Sequence, residues 1–327
     1  MNKVSIAGMF LGLLILAALL LWNGIHNILH LLVNTGWLLL ALPLVWAPSQ
    51  LVATVSWRQL FPATRTPSLI HLLIANWMGR AVNILLPVAT IGGEVVKARL
   101  ITLWEGNGVD VSASVMVDKT VQALALVPWG FIGAGLLFYL ALDNGIAVPV
   151  IIGITALAAG VGGFILVQHF GMFGFLANLT GRFLHAEKRD GLTNGAGKVD
   201  QAVRNLYRQR RKFGAALFCR TLSLMLESSE IWLACYLMGQ PLGLLETLAL
   251  ESLTSTVNNV VFFIPNAYGV QEGGFVVIGS LFGLTPDFSL ALSLATRIRE
   301  VVIDLPGLLF WQYTEGRRLI GRKPGNP

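Results

Sequence analysis

Seven apolar runs, at about residues 4–22, 36–57, 113–140, 146–169, 214–238, 243–264 and 288–312, account for most of the chain. Each is long enough for a helix to cross a hydrocarbon layer ~30 Å thick. Only 12% of the 327 residues are charged, where a water-soluble domain carries about a quarter. The runs therefore predict an all-α polytopic membrane protein without a soluble domain. The first run follows Lys3 as a secretory signal would, but it lacks a small-residue cleavage site and is read as a retained first helix.

The charges are unevenly spread. Residues 182–212 hold Arg182, Lys188, Arg189, Lys198, Arg204, Arg208, Arg210, Arg211 and Lys212 against Glu187, Asp190 and Asp200. No aromatic platform interleaves with these cations, which argues against nucleic acid. A cytoplasmic loop beside anionic lipid headgroups explains them with less. Lys3, Arg58 with Arg65, the 182–212 segment, and the tail with Arg317, Arg318, Arg322 and Lys323 are then all cytoplasmic. Both termini face inward, and the chain crosses an even number of times between successive basic segments.

That parity makes "LLPVATIGGEVVKARL", residues 85–100, the difficult stretch. A full span here would carry Glu94, Lys97 and Arg99 through hydrocarbon at about 2.5–3.5 kcal/mol for each charge near its centre. A re-entrant hairpin is cheaper: residues 70–86 descend, Pro87, Gly92 and Gly93 break the helix, and residues 94–104 return. The same pattern recurs in "FFIPNAYGVQEGGF", with Pro265, Gly269, Glu272 and Gly273 at the break. Pro87 stands seven residues before Glu94, and Pro265 seven before Glu272; Lys119 and Arg297 each follow their glutamate by 25. Parity makes the first hairpin open inward and the second outward, an inverted repeat of the kind that marks a transporter's midplane site.

The resulting architecture is about six spanning helices plus two re-entrant helical hairpins in one transmembrane domain, 1–327. Its parts are an N-terminal helix pair (1–66), a first repeat (67–169), the basic loop (170–213), a second repeat (214–315) and a basic tail (316–327).

Polar residues inside the runs are the candidate site. Asn76, Arg80, Asn83 and Pro87 share one helical face, as do Glu251, Ser255 and Asn258. Arg297, Glu300 and Asp304 share another, with Arg299 turned aside. Arg80, Asn83, Lys97, Lys119, Asn258 and Arg297 are candidates for binding a headgroup. Glu94, Asp118, Glu272, Glu300 and Asp304 are candidates for proton coupling or for ion pairs that merely hold the hairpins in place. Glu227, Glu230 and Arg220 are read first as structural. His26 and His30 lack the glutamate of a zincin motif, so no metal is expected. Cys219 and Cys235 are read as membrane-buried thiols, and Trp22, Trp37, Trp57 and Trp311 as interfacial anchors. No nucleophile elbow, P-loop or dinucleotide fingerprint appears, so no cofactor or ATP-driven step is expected.

At "NILLPVATIGGEVVKARL", "SVMVDKTV", "FFIPNAYGVQEGG" and "ATRIREVVIDLPG" the chain resembles the lysylphosphatidylglycerol synthase transmembrane-region family. Gly36 with Trp37, and the stretch Trp57 to Leu60, are most similar to its hopanoid-biosynthesis-associated members. The resemblance implies a flippase-like lipid carrier of the bacterial inner membrane. Pro87, Gly92, Gly93, Glu94, Lys97, Asp118, Lys119, Pro265, Gly269, Glu272, Gly273, Arg297 and Glu300 match the family's motif positions. The family's synthases attach a soluble aminoacylating domain that this chain lacks, so it is not expected to be an enzyme. The expectation is a transporter of a polar-headed lipid, an anionic phospholipid or an isoprenoid- or hopanoid-related one, and a possible homodimer. The rival readings are an intramembrane lipid-modifying enzyme, with Glu94 and Asp118 as acid and base, and a scaffold of an envelope-lipid assembly.

Overall fold

A computed structural model describes residues 3–22, 24–86, 92–140, 152, 155, 158–163, 165–166, 168, 186–260 and 265–321. Their regular structure is helical throughout: α1 Lys3–Trp22, α2 Ile25–Thr35, α3 Leu42–Gln59, α4 Leu69–Leu85, α5 Gly92–Glu105, α6 Gly108–Tyr139, α7 Ala186–Arg208, α8 Arg210–Leu237, α9 Leu244–Val260, α10 Val270–Leu281 and α11 Pro286–Gly321. Pro87 and most of the 146–169 run lie outside the described residues.

Local chemistry sets the boundaries. Ser68 and Asn107 accept from the backbone N–H of His71 and Asp110, capping α4 and α6. Gly239 and Gly283, at φ 87° and 77°, stop α8 and α10 in the left-handed region that glycine enters without strain. The 36–57 run starts differently from its expected form. Gly36–Ala41 is a 3₁₀ stretch, and the α-helix begins only at Leu42, with Pro43 in its first turn where a missing N–H costs nothing. The helical path is thus continuous over Ile25–Gln59, and this segment and Gly108–Tyr139 are long and apolar enough to span a membrane. Outward-facing Leu44, Ile70, Phe218, Val277 and Leu309 are 75%, 68%, 69%, 59% and 57% exposed. So much apolar surface suits lipid, not water, as the solvent.

Packing defines two ends. At one, Lys212 Nζ donates to the Phe61 carbonyl at 3.0 Å, Ser56 Oγ to that of Ala216 at 2.7 Å, and Trp57 Nε1 to Ser114 Oγ at 3.2 Å. These bonds gather the end of α3 with the starts of α8 and α6. Leu60, Leu72, Leu100, Val111, Val203 and Leu308 pack into one cluster there, so the start of α4 and the end of α5 belong to the same end. His71 and Glu105, 2.6 Å apart, close the base of the α4–α5 pair, and Arg99 forks onto Glu315 with two bonds of 3.0 Å. At the other end Leu42, Leu137, Met238, Leu250, Ile278 and Leu284 cluster, which places the start of α9 and the end of α10 together. The α4–α5 and α9–α10 pairs are therefore based at opposite ends of the bundle.

Each pair also reaches across to the other half. α4 packs on α11, and α9 packs on α6. Both crossings are made close by a glycine beside a tryptophan, in the manner of small-residue helix contacts in membranes. A Cβ on Gly307 would lie 2.9 Å from Trp77 Nε1, which donates to the Ile303 carbonyl at 2.8 Å. A Cβ on Gly133 would lie 2.8 Å from Ser252 Cβ, and Trp129 Nε1 donates to Ser255 Oγ at 3.0 Å.

Two expectations need correction. Trp57 is no interfacial anchor: it is 1% exposed, because its ring packs in the core between α3 and α6, whereas Trp22 and Trp37 stand 90% and 78% exposed. The basic loop is a docked helix over Ala186–Arg208. Val199, Val203 and Leu206 recur at helical spacing, and that stripe packs against the bundle. Tyr207 Oη donates to Gln168 at 2.5 Å, and Gln168 Nε2 to Thr120 of α6 at 3.0 Å. Burial pushes the Tyr207 phenol up, so it stays a neutral donor at physiological pH.

Candidate functional site

Where α4 gives way to α5, Asn83 Oδ1 accepts from the Gly93 N–H at 2.7 Å and so caps the first turn of α5. One residue on, Glu94 reaches α6: its Oε1 lies 2.9 Å from Lys119 Nζ, and its Oε2 3.4 Å from Lys97 Nζ. The Lys97 ammonium also sits 5.6 Å from the centre of the Trp57 ring, a cation–π contact that offsets part of its desolvation. Gln122 ties the next turn of α6, donating to Asp118 Oδ2 at 2.6 Å and accepting from Lys119 at 3.3 Å. Glu94, Lys97 and Asp118 are 9%, 4% and 3% exposed.

The second break builds the counterpart. Asn266 and Ala267 carry positive φ of 51° and 47°, a local cost held in place by the surrounding contacts. Glu272 Oε2 accepts from the Gly269 N–H at 2.7 Å, capping α10, while its Oε1 pairs with Arg297 Nε at 3.3 Å. Arg297 spends its other donors on Glu300 Oε2 at 3.2 Å and the Asn266 carbonyl at 3.0 Å, with Tyr268 beneath its guanidinium at 4.7 Å. Both glutamates separated from a cation by 25 residues are thus paired with it, Glu94 with Lys119 and Glu272 with Arg297.

A third group joins the halves. Arg80 of α4 pairs with Asp304 of α11 at 3.3 Å, and Arg299 of α11 with Glu230 of α8 at 2.9 Å. The guanidiniums of Arg80 and Arg299 both lie against Trp46, 4.1 and 4.6 Å from its ring. Planar, weakly hydrated guanidinium suits such stacking better than ammonium does.

Not every candidate joins these groups. The polar face of α4 divides among three neighbours: Asn76 donates to Thr54 of α3 at 3.3 Å, Arg80 turns to α11, and Asn83 serves the cap on α5. Asn258 is set apart on α9, its Oδ1 buried without a partner among the described residues. Pro265 opens a 3₁₀ turn and Gly269 has φ 76°, as a break requires. Gly92 begins α5, but Gly273 is an ordinary helical residue with open space where a Cβ would stand. His26 and His30 hold their rings 6.5 Å apart, and no metal-ligand cluster occurs among the described residues. Cys219 and Cys235 are both free thiols. Trp46, Gln122, Glu230, Asn266, Tyr268 and Arg299 belong to the charged groups without having been candidates for them. Only Glu230 and Arg299 carried a signal, an ionisable side chain in an apolar run.

An all-helical bundle with apolar flanks and paired charges at its helix breaks is a polytopic membrane protein. Residues 9–307 match the sequence model of the lysylphosphatidylglycerol synthase TM region, and the chain belongs to that family. No curated relative and no solved structure matches it.

Proposed function

We propose that the protein carries a polar-headed lipid between the leaflets of a bacterial inner membrane, with both termini in the cytoplasm. In this reading α4–α5 and α9–α10 are re-entrant hairpins entering from opposite sides. Their ion pairs replace the water that a lipid headgroup sheds while its tails stay in hydrocarbon. The observation that carries the reading is the repeated pair at a hairpin break, Glu94–Lys119 and Glu272–Arg297. Arg80–Asp304 links the halves, and Trp46 stacks on both Arg80 and Arg299 beside it, so alternating access would work by rocking the halves about this bridge. The lipid leaves chemically unchanged, as a carrier's substrate must. Anionic phospholipids and isoprenoid- or hopanoid-related lipids are the classes to offer it. Exposed Lys198 of α7, with exposed Arg208, Arg210 and Arg211 at the α7–α8 junction, faces the anionic headgroups of the cytoplasmic leaflet.

The test is leaflet exchange of labelled lipids in vesicles containing the purified chain. Wild type should exchange at least one polar lipid about tenfold or more faster than empty vesicles, and Glu94→Gln with Glu272→Gln should abolish the gain. Mass spectrometry should find the lipid's mass unaltered. Exchange no faster than in empty vesicles for every lipid offered contradicts the proposal.

A further inference from the structure

Taken together, the charges at the second break and those joining the halves hold more acid than base. Arg80, Arg297 and Arg299 are paired with Glu230, Glu272, Glu300 and Asp304, so three guanidiniums stand against four carboxylates. One negative charge is left over if all four ionise. A buried carboxylate without its share of positive charge is costly, and taking up a proton removes the cost.

Asp304 is the member placed to do so. Its side chain is fully buried. Arg80 Nε and Nη2 both converge on Oδ2 at 3.3 Å instead of forking across the two oxygens, and Oδ1 is buried with no donor among the described residues. Glu230, Glu272 and Glu300 have no such bare buried oxygen. Arg80 keeps 19% of its side chain exposed, which opens the pair to water on that side.

The surroundings supply no further cation. On α11 itself Glu300 stands one turn before Asp304, and Arg299 is engaged by Glu230 of α8. α10 brings Glu272, already on Arg297. α3 brings the ring of Trp46, and α2 brings His26 and His30, both exposed. Glu227 on α8 and Glu251 on α9 would add acid.

The pair is also an addition to the repeat. Positions 178 apart correspond between the halves: Pro87 with Pro265, Glu94 with Glu272, and Lys119 with Arg297. The crossing contact of Trp77 with Gly307 corresponds, at the same offset, to that of Ser255 with Trp129. Arg80 and Asp304 correspond to Asn258 and Leu126. The scaffold of the repeat therefore stands without this pair, and one half alone carries it.

We propose that Asp304 is a proton-binding site: a proton taken up on Oδ1 releases Arg80 and loosens α4 from α11, and its departure remakes the bridge. Trp46, 4.1 Å from the Arg80 guanidinium, holds the cation in place while the bridge is open. Coupling of this proton to lipid movement rests on the transport reading; the proton site does not.

Infrared spectroscopy of the purified full chain in lipid nanodiscs tests the site through the carbonyl stretch of a protonated carboxyl, identified by its shift in heavy water. In wild type that band should grow as the pH falls from about 8 to about 6, where ordinary carboxyls stay ionised. Asp304→Asn should lack it. Arg80→Gln enlarges the acid excess and should tighten proton binding about tenfold or more, whereas Glu300→Gln removes the excess and should loosen it. Misfolding cannot produce opposite shifts. A band that is absent, that ignores pH, that survives Asp304→Asn, or that moves the same way in both other variants overturns the site. In vesicles, a pH gradient should speed leaflet exchange by wild type and leave Asp304→Asn unaffected. A titrating Asp304 band without exchange of any lipid sinks the transport reading and leaves the proton site standing; exchange indifferent to the gradient overturns the coupling alone.

Discussion

Glu272→Ala should cost the fold about 3–5 kcal/mol, the range for removing one partner of a buried pair. Glu272 is fully buried, and its two oxygens do separate jobs: one caps Gly269, the other holds Arg297. Alanine leaves the Gly269 N–H open and Arg297 with Glu300 as its remaining carboxylate. Adding Arg297→Leu removes the uncompensated cation, so the double variant should be more stable than Glu272→Ala alone. Glu94→Ala should cost a comparable amount: Lys119 is a third exposed and can turn to solvent or headgroups, but Lys97, 4% exposed, is left without its carboxylate. Reversible unfolding in mixed micelles, followed by helical circular dichroism, gives these three values and that of Arg297→Leu alone. A double variant that simply adds the two single losses would show that the pair is not coupled.

Gly93→Leu should separate α4 from α5 and abolish whatever activity depends on the first break. A Cβ at Gly93 would run into the Gly79 carbonyl oxygen and lie 2.6 Å from Asn83 Cγ. From the other side, a Cβ at Gly79 would lie 2.7 Å from the Gly93 carbonyl oxygen and 2.6 Å from Lys97 Cγ. Backbone faces backbone, so no rotamer change relieves the contact. The loss should exceed the about 1–3 kcal/mol of ordinary overpacking. Gly273→Ala provides the contrast, since nothing lies within 4 Å of a Cβ there. It should stabilise by about 0.5–1 kcal/mol through the better helix propensity of alanine. Unfolding midpoints of the two variants in the same detergent compare them directly; a Gly93→Leu chain as stable as wild type would contradict the close crossing.

The parts of this molecule that could be read from its sequence are those where a costly residue repeats at fixed spacing. Glu94 with Lys119 and Glu272 with Arg297 stood out because hydrocarbon penalises each charge and the interval of 25 recurs. Helix existence followed from apolar length, although Gly36–Ala41 tightened into a 3₁₀ stretch that no periodicity marks. Trp46 was invisible because an aromatic in an apolar run looks the same facing lipid or facing two guanidiniums. Trp57 misled for the same reason: a tryptophan near a span end is an anchor or a core residue according to what packs beside it. The pairing of Arg299 with Glu230 joins residues 69 positions apart on different helices, which one sequence cannot register. Asn76, Arg80 and Asn83, read as one face of α4, turn to three neighbouring helices, so a shared stripe did not mean a shared site.

The proposed hairpins enter from opposite faces, and cysteine labelling of their bases tests that directly. In a chain freed of Cys219 and Cys235, single cysteines replace exposed Ala63 and Glu105 beside the first hairpin, and exposed Gln240 and Thr285 beside the second. In vesicles of known orientation, a membrane-impermeant maleimide should reach 63 and 105 from the cytoplasmic side alone, and 240 and 285 from the opposite side alone. Labelling of 63 and 105 from different sides would make α4 and α5 a crossing segment, and labelling of all four from one side would abolish the inversion; either result contradicts the account.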